Sequence, residues 1–180
     1  MHDALRSASD RITTLRIDGL EIPWHDLEET SSTMDYAAKL AKSGCGWMVV
    51  SARNQISGRG TQGRMWNTFP DKGIWVSIIM PSPMQSDALN GLTLTAAEVL
   101  SSVLEDHTHL KYTIKPPNDI TIRGKKLAGI LIESVSRGLE IVSVILGMGL
   151  NISQDAEDFT RVGLPEATSV FIETGMILDR

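Results

Sequence analysis

Two stretches of this chain carry residue types able to do chemistry on an anion. The first is Gln55-Ile56-Ser57-Gly58-Arg59-Gly60-Thr61-Gln62-Gly63-Arg64-Met65-Trp66. Gly58, Gly60 and Gly63 lack Cβ atoms, so the backbone can take φ > 0 and bring its N–H groups against a ligand. Arg59 and Arg64 can make charge-assisted bonds to a carboxylate or phosphate. Trp66 ends the stretch with a large, flat apolar surface. These are the parts needed to hold a carboxylate beside an ATP α-phosphate. The second stretch is Lys115-Pro116-Pro117-Asn118-Asp119-Ile120, followed by residues 124–133. The two prolines hold the backbone extended ahead of Asn118, whose amide can read an adenine edge. Asp119 could organise Mg²⁺ or orient a neighbouring basic group. Lys126 follows a tight turn, where its ammonium could neutralise charge developing on phosphate and carboxylate oxygens.

Gly58, Gly60 and Gly63 fit G-x-G-x-x-G, yet no crossover unit follows, and the terminal Gly-Lys-Ser/Thr of a P-loop is absent. Taken alone, the loop reads equally well as a flexible connector with its arginines in solvent. A connection this long in a compact domain is more often functional or disordered. The second motif alone also reads as a proline turn beside an exposed lysine pair.

The elements that must position these residues follow from periodicity. Residues 1 to about 11 read as a loose polar leader, and Glu21 to Leu27 as a short strand. Thr33 can cap a helix whose buried stripe is Met34, Ala37, Ala38 and Ala41, ended by Gly44. Trp47 to Ala52 is apolar enough for a central strand covered on both faces. A polar loop runs from Arg53 to Lys72. A strand follows from Gly73 to Met80, stopped by Pro81-Ser82-Pro83. Ser86 begins a long helix, with Asp87 in its first turn and Leu89, Leu92, Ala96, Val99, Leu100 and Val103 on its apolar side. Lys111 to Lys115, Asp119 to Arg123, Leu127 to Ser136 and Leu139 to Met148 read as a meander, with turns at Arg123-Gly124 and Arg137-Gly138. The run Gln154 to Asp158 reads as a solvated acidic loop, and Thr168 to Glu173 as a short helix. Strands in runs with helices gathered elsewhere predict an α+β domain with a mixed sheet.

Composition bounds the function. A chain of 180 residues with 42% hydrophobic and 22% charged residues fits one soluble globular domain with its own core. A net charge of −5 argues against a general nucleic-acid footprint, which needs a basic face. No signal peptide opens the chain, and no apolar run reaches spanning length. Cys45 is a lone thiol with no metal-ligand spacing, in keeping with a reducing, cytoplasmic setting. His2, His25, His107 and His109 form no metal pattern, and the last two lie at a helix end.

In order along the chain, these segments resemble the catalytic domain of the biotin protein ligases, in the biotin/lipoate ligase superfamily. The resemblance runs from about Glu28 to Gly175. It rests on Ser31-Ser32-Thr33-Met34-Asp35, on Gln55 and Gly58 to Trp66, and on Lys115, Asn118, Asp119 and Lys126 to Glu133. Gly147-Met148-Gly149-Leu150-Asn151-Ile152 and Ala167-Thr168-Ser169 complete it. It implies a mixed, largely antiparallel sheet flanked by helices, similar to class II aminoacyl-tRNA synthetases. It implies a reaction in which the biotin carboxylate attacks the ATP α-phosphate, with Mg²⁺, and the acyl group of biotinyl-5′-AMP then passes to a lysine of a biotin carboxyl carrier domain. By position, Ser32, Thr33, Gln55, Gly58, Arg59, Gly129, Gly147 and Gly149 would bind biotin. Gly60, Arg64, Trp66, Lys115, Asn118, Asp119, Lys126 and Asn151 would bind ATP and the adenylate, and Lys126, Arg59 and Arg64 would be catalytic. No metal ligand is assigned.

Three positions depart from the family pattern. Thr61 stands where a second arginine is frequent, Pro116 where Trp is usual, and Met34 where Asn is frequent. Thr61 predicts weaker retention of the adenylate. Too few residues precede Glu21 for a helix-turn-helix, so DNA binding is not expected, and a small C-terminal β domain is expected to be absent. Edge strands of the meander could pair in a homodimer. The competing expectations are a lipoate or octanoate ligase of the same superfamily, and a degenerate homologue that binds biotin without chemistry.

Overall fold

A computed structural model of the chain describes residues 10–81, 88–138 and 140–178. The leader up to residue 9, the helix start at Ser86 and Asp87, the Leu89 side chain, Pro83, Leu139 and His2 lie outside the described residues. Among the described residues, ten strands and four α-helices follow one another. They are β1 (Arg11–Ile17), β2 (Leu20–Thr30), α1 (Thr33–Ala41), β3 (Met48–Gln55), β4 (Gly58–Arg59), β5 (Met65–Trp66) and β6 (Gly73–Pro81). Then come α2 (Ala88–Thr108), β7 (Thr113–Lys115), β8 (Asp119–Ile122), β9 (Lys125–Arg137), β10 (Glu140–Asn151), α3 (Ala156–Arg161) and α4 (Val170–Thr174).

Eight strands form one sheet in the order β1-β2-β3-β6-β10-β9-β8-β7. Only β2 and β3 pair in parallel, and α1 is the crossover between them. Every other pair in the sheet is antiparallel. The expected meander is β7 to β10, and β3 is internal, as its apolar composition predicts. The expected loop begins inside β3, which runs on to Gln55, and its middle holds the two-stranded ladder of β4 and β5, separate from the main sheet. Strand β6 pairs through Pro81 instead of stopping before it.

Side chains alternate across a strand, and β10 shows how this sheet uses the rule. Val144, Leu146 and Leu150 face one side, where they pack with Ala97 and Leu104 of α2. Ile145 faces the other, with Met34, Ala37 and Leu40 of α1. On the α1 side, the residues after Ile145 are Gly147 and Gly149. The apolar filling therefore runs out on that face, beside α1.

Three expectations are corrected. Helix α2 buries Ala97, Ser101, Leu104 and Thr108, while Val99 and Val103 are 59% and 48% exposed. Leu92, Ala96 and Leu100 are half-buried against the core. Two stripes of similar apolarity run along this helix, and packing on β7, β8 and β9 selects one of them. The run Gln154 to Asp158 is not a solvated loop. Asp155 caps α3 in a reciprocal capping box with Asp158, and Gln154 and Asp158 are buried. Strand β1 was not expected. It is mostly exposed, so it shows no alternation and is held by its ladder to β2. The Asp18-Gly19 turn, with φ of 48° and 80°, is the hairpin signal that announces it.

Candidate active site

The site is built on backbone before it is built on side chains. Gly149 pairs with Gly129 across β10 and β9. A Cβ on Gly149 would lie 2.5 Å from Trp66 Cε2, and one on Gly129 2.8 Å from Trp66 Cζ3. The two glycines therefore form the seat on which the Trp66 indole lies. Trp66 also meets the buried Trp75 edge-to-face at 6.3 Å, and Lys126 Nζ lies 5.2 Å from its ring centroid. Two residues back along β10, a Cβ on Gly147 would lie 2.6 Å from Met34 Sδ. Met34 thus fills the space that Gly147 leaves.

Lys126 reaches this face because of a bulge. The β8–β9 register shifts between Ile120 and Thr121, and Leu127 and Ala128 both join the core on the α2 side. In regular alternation Lys126 would point the same way as Ala128; the bulge re-aims it. Its ammonium pairs with Asp119 Oδ1 at 2.7 Å. Its backbone is held through both polar groups. Lys126 N–H donates to the Glu166 carbonyl at 2.7 Å, and the Lys126 carbonyl accepts from Thr168 N–H at 2.9 Å.

The polar wall comes from the start of α1. Ser32 Oγ accepts from Met34 N–H and caps the helix. Thr33 donates to Gln55 Oε1 through both its N–H at 2.8 Å and its hydroxyl at 3.1 Å. Ser77 in turn donates to Thr33 Oγ1 at 2.8 Å. These bonds orient the Gln55 amide, with its Nε2 toward Gly58. The glycine-arginine loop closes on itself through Gly60 N–H and the Arg64 carbonyl at 2.8 Å. Arg59 donates to Asp35 Oδ1 at 2.8 Å and, through its second nitrogen, to Glu133 Oε1. Arg64 donates to the Thr61 carbonyl and hydroxyl and has no carboxylate partner among the described residues.

These groups line a cavity of about 370 Å³, within the range of a small-molecule site. Of the residues singled out in the sequence, Thr33, Gln55, Arg59, Gly60, Arg64, Trp66, Asn118, Asp119, Lys126, Gly129, Gly147, Gly149 and Asn151 line it. Ser32, Gly58 and Lys115 do not. Ser32 is a buried helix cap, and Lys115 is exposed. Gly58 serves the ladder, since a Cβ there would sit 2.5 Å from the Trp66 carbonyl oxygen. Asn118 is 8% exposed, and its Nδ2 donates to the Ile130 carbonyl at 2.9 Å. Asn151 Nδ2 donates to the Thr168 carbonyl, and its Oδ1 accepts from Gln154. Both are struts as well as lining. The wall at residues 163–166 was missed, and Ala167 was singled out only within the segment Ala167-Thr168-Ser169. The wall is held beside Lys126 by the backbone bonds of Glu166 and Thr168.

Among the described residues no group of three or more His, Cys, Asp or Glu side chains could hold a metal. His25 is buried beside Tyr36 at 3.3 Å, and the exposed His107 meets the Val103 carbonyl at 2.8 Å. Burial raises the Cys45 thiol above its ordinary pKa, against a smaller lowering by a backbone hydrogen bond, a direction that disfavours the thiolate. No described helix is long and apolar enough to cross a membrane.

The sequence pattern of the biotin/lipoate A/B protein ligase family matches residues 27–151. The chain belongs to this family. It is 35% identical over 164 residues to the bifunctional ligase/repressor BirA of Bacillus subtilis, covering 90% of this chain and 50% of that protein. It is 35% identical over 157 residues to the biotin–acetyl-CoA-carboxylase ligase of Paracoccus denitrificans, covering 85% of this chain and 65% of that one. The biotin protein ligase of Aquifex aeolicus, solved with biotin and ATP, superposes with a TM-score of 0.72 at 27% identity, over 88% of this chain and 63% of that one. The chain thus spans half to two-thirds of the length of these relatives. The mixed, largely antiparallel sheet with flanking helices is the fold of this ligase family.

Proposed function

We propose that this chain carries the catalytic core of an ATP-dependent biotin protein ligase. The observation that carries the reading is one cavity that gathers the Thr33–Gln55 pair, Arg64 and Lys126 around the glycine seat of Trp66. The Gln55 amide and the Gly129–Gly147 backbone would hold the polar ring of biotin. The acid's carboxylate would then lie toward Arg64 and Lys126. There it attacks the α-phosphorus of ATP, pyrophosphate leaves, and biotinyl-5′-AMP remains. The amine of a carrier-domain lysine next attacks the acyl carbon, the C–O bond to AMP breaks, and the amine gives up a proton.

Asn118 would meet adenine with its remaining amide oxygen, since its nitrogen is committed to Ile130. Catalysis comes from positioning and charge stabilisation, with Lys126 over the phosphate oxygens. Mg²⁺ would enter with ATP, held mainly by phosphate oxygens, with Asp119 the lining carboxylate beside Lys126. A cytoplasmic setting fits this chemistry and the lone thiol.

Intact mass of a biotin carboxyl carrier domain, incubated with this chain, Mg-ATP and either biotin or lipoate, tests the reading. A single ATP-dependent biotinyl shift is expected. A lipoyl shift alone would overturn the substrate, and no shift with either acid would overturn the activity.

A further inference from the structure

We propose that Arg59 is a positioning residue, clasped between Asp35 and Glu133 to fix the glycine-arginine loop as a wall of the cavity. On this account Asp35 and Glu133 act in substrate binding through Arg59, without touching the substrate. The functional part rests on the reading given under Proposed function; the structural part does not.

Three cations line the cavity, and they are partnered differently. Lys126 has one carboxylate, Asp119. Arg64 has none among the described residues. Arg59 has two, one on each terminal nitrogen. The Asp35–Arg59–Glu133 trio carries a net charge of −1. Both terminal nitrogens of Arg59 already hold a carboxylate, and an incoming carboxylate on the remaining N–H groups would sit beside two like charges. Arg64, which holds only Thr61, is the guanidinium disposed to take a substrate anion.

The loop also needs a fastening. Ladder β4–β5 has two residue pairs and forms a sheet of its own, separate from the main one. The chain entering it is tied by Ile56 N–H to the Thr30 carbonyl and by Ser57 N–H to the Ser31 carbonyl. The chain leaving it is tied by Trp66 on its glycine seat. Between these ties, Arg59 bonds the loop to α1 through Asp35 and to β9 through Glu133. Both partners are placed by the fold. Asp35 sits in the first turn of α1. Glu133 stands opposite Ile145, on the α1 face, where the apolar filling ends.

The test compares the parent with Arg59→Gln, Arg59→Lys, Glu133→Gln, Asp35→Asn and the Arg59→Gln/Glu133→Gln double variant, each checked for an unchanged melting profile. Hydrogen exchange of residues 58–66 is measured without ligand. The KM for biotin and kcat of adenylation are then measured, together with binding of neutral biotin amide. Arg59→Gln and Glu133→Gln should each speed loop exchange and raise the KM roughly five- to tenfold, with kcat changed by less than about threefold. The double variant should be no worse than Arg59→Gln, and Arg59→Lys should lie between it and the parent. Biotin and biotin amide should weaken by the same factor. The proposal is overturned if Glu133→Gln and Asp35→Asn keep the parent's exchange and KM while Arg59→Gln weakens biotin selectively over its amide, which would make Arg59 a direct ligand. If the parent forms no adenylate, the functional reading fails on its own, and exchange unchanged in both Arg59→Gln and Glu133→Gln still overturns the clasp.

Discussion

Lys126 and Arg64 face the same cavity, but their backbones are held in different ways. Lys126 lies on a long strand of the main sheet, with both its N–H and its carbonyl bonded to residues 166–168. Asn118, beside it, is buried and bonded twice to Ile130. Arg64 sits in a loop with a two-pair ladder of its own, a single 3-10 turn and side-chain fastenings at Arg59 and Trp66. Backbone ladders cannot be removed by one substitution, whereas side-chain fastenings can. One half of the site is therefore a rigid platform, and the other is a wall whose position depends on a few named contacts.

The largest expected effect tests the platform. Lys126→Ala should lower biotinyl-adenylate formation about 10²- to 10³-fold while leaving the melting temperature nearly unchanged. Retention within tenfold would remove Lys126 from the chemistry. The wall is tested next by Gly149→Ala, whose methyl would meet the Trp66 indole at 2.5 Å. Trp66 must move, and adenylation should fall roughly tenfold, in line with the cost of misplacing a positioned group. Gly46→Ala, with nothing within 4 Å, is the control and should match the parent. If Gly149→Ala also matches the parent, the seat does not position the loop.

A smaller effect would sharpen the comparison from the other side. Thr61→Arg adds a cation to the wall and should slow release of the adenylate several-fold through a charge-assisted bond. Equal off-rates in the two proteins would sink that idea. The smallest effect lies beneath both halves, where the Lys72 carbonyl accepts from Ile152 and Ser153 N–H at the end of β10. Burial works to raise the Asp158 carboxyl. Its hydrogen bonds from Lys72 and Asp155 and the charges of Lys72 and Arg161 outweigh this and leave it below its ordinary pKa. A depressed carboxylate contributes stability above its unfolded pKa of about 3.9, and that contribution is lost as pH falls through the folded value. Asp158→Asn should therefore cost about 1 kcal/mol near pH 7. Chemical denaturation of the two proteins should converge as the pH is lowered, and a pH-independent gap would show that the charge is not responsible.

Much of the site was legible before the fold was known, for a physical reason. Gly129, Gly147 and Gly149 mark close backbone approach, a cation must stand near a developing negative charge, and such needs leave fixed residue types in fixed order. What each residue does was less legible. Arg59 reads as an anion ligand from its type, yet its two carboxylates come from α1 and from a strand 74 residues away. Ser32 reads as a polar pocket group, yet it caps a helix. Lys126 faces the cavity only because of a bulge that no local pattern announces. Val99 and Val103 of α2 fit a helical stripe as well as Ala97 and Leu104 do, and only the sheet's position selects between them.

The sequence by itself therefore determined the family, the α+β class, the meander, the two motifs and most of the cavity's lining. Periodicity and residue chemistry are local properties, and these features depend on them. The tertiary structure alone decided which cations meet carboxylates, what the glycines make room for, and how residues 163–167 become a wall. Those outcomes depend on distances between segments far apart in the chain, and no local pattern contains them.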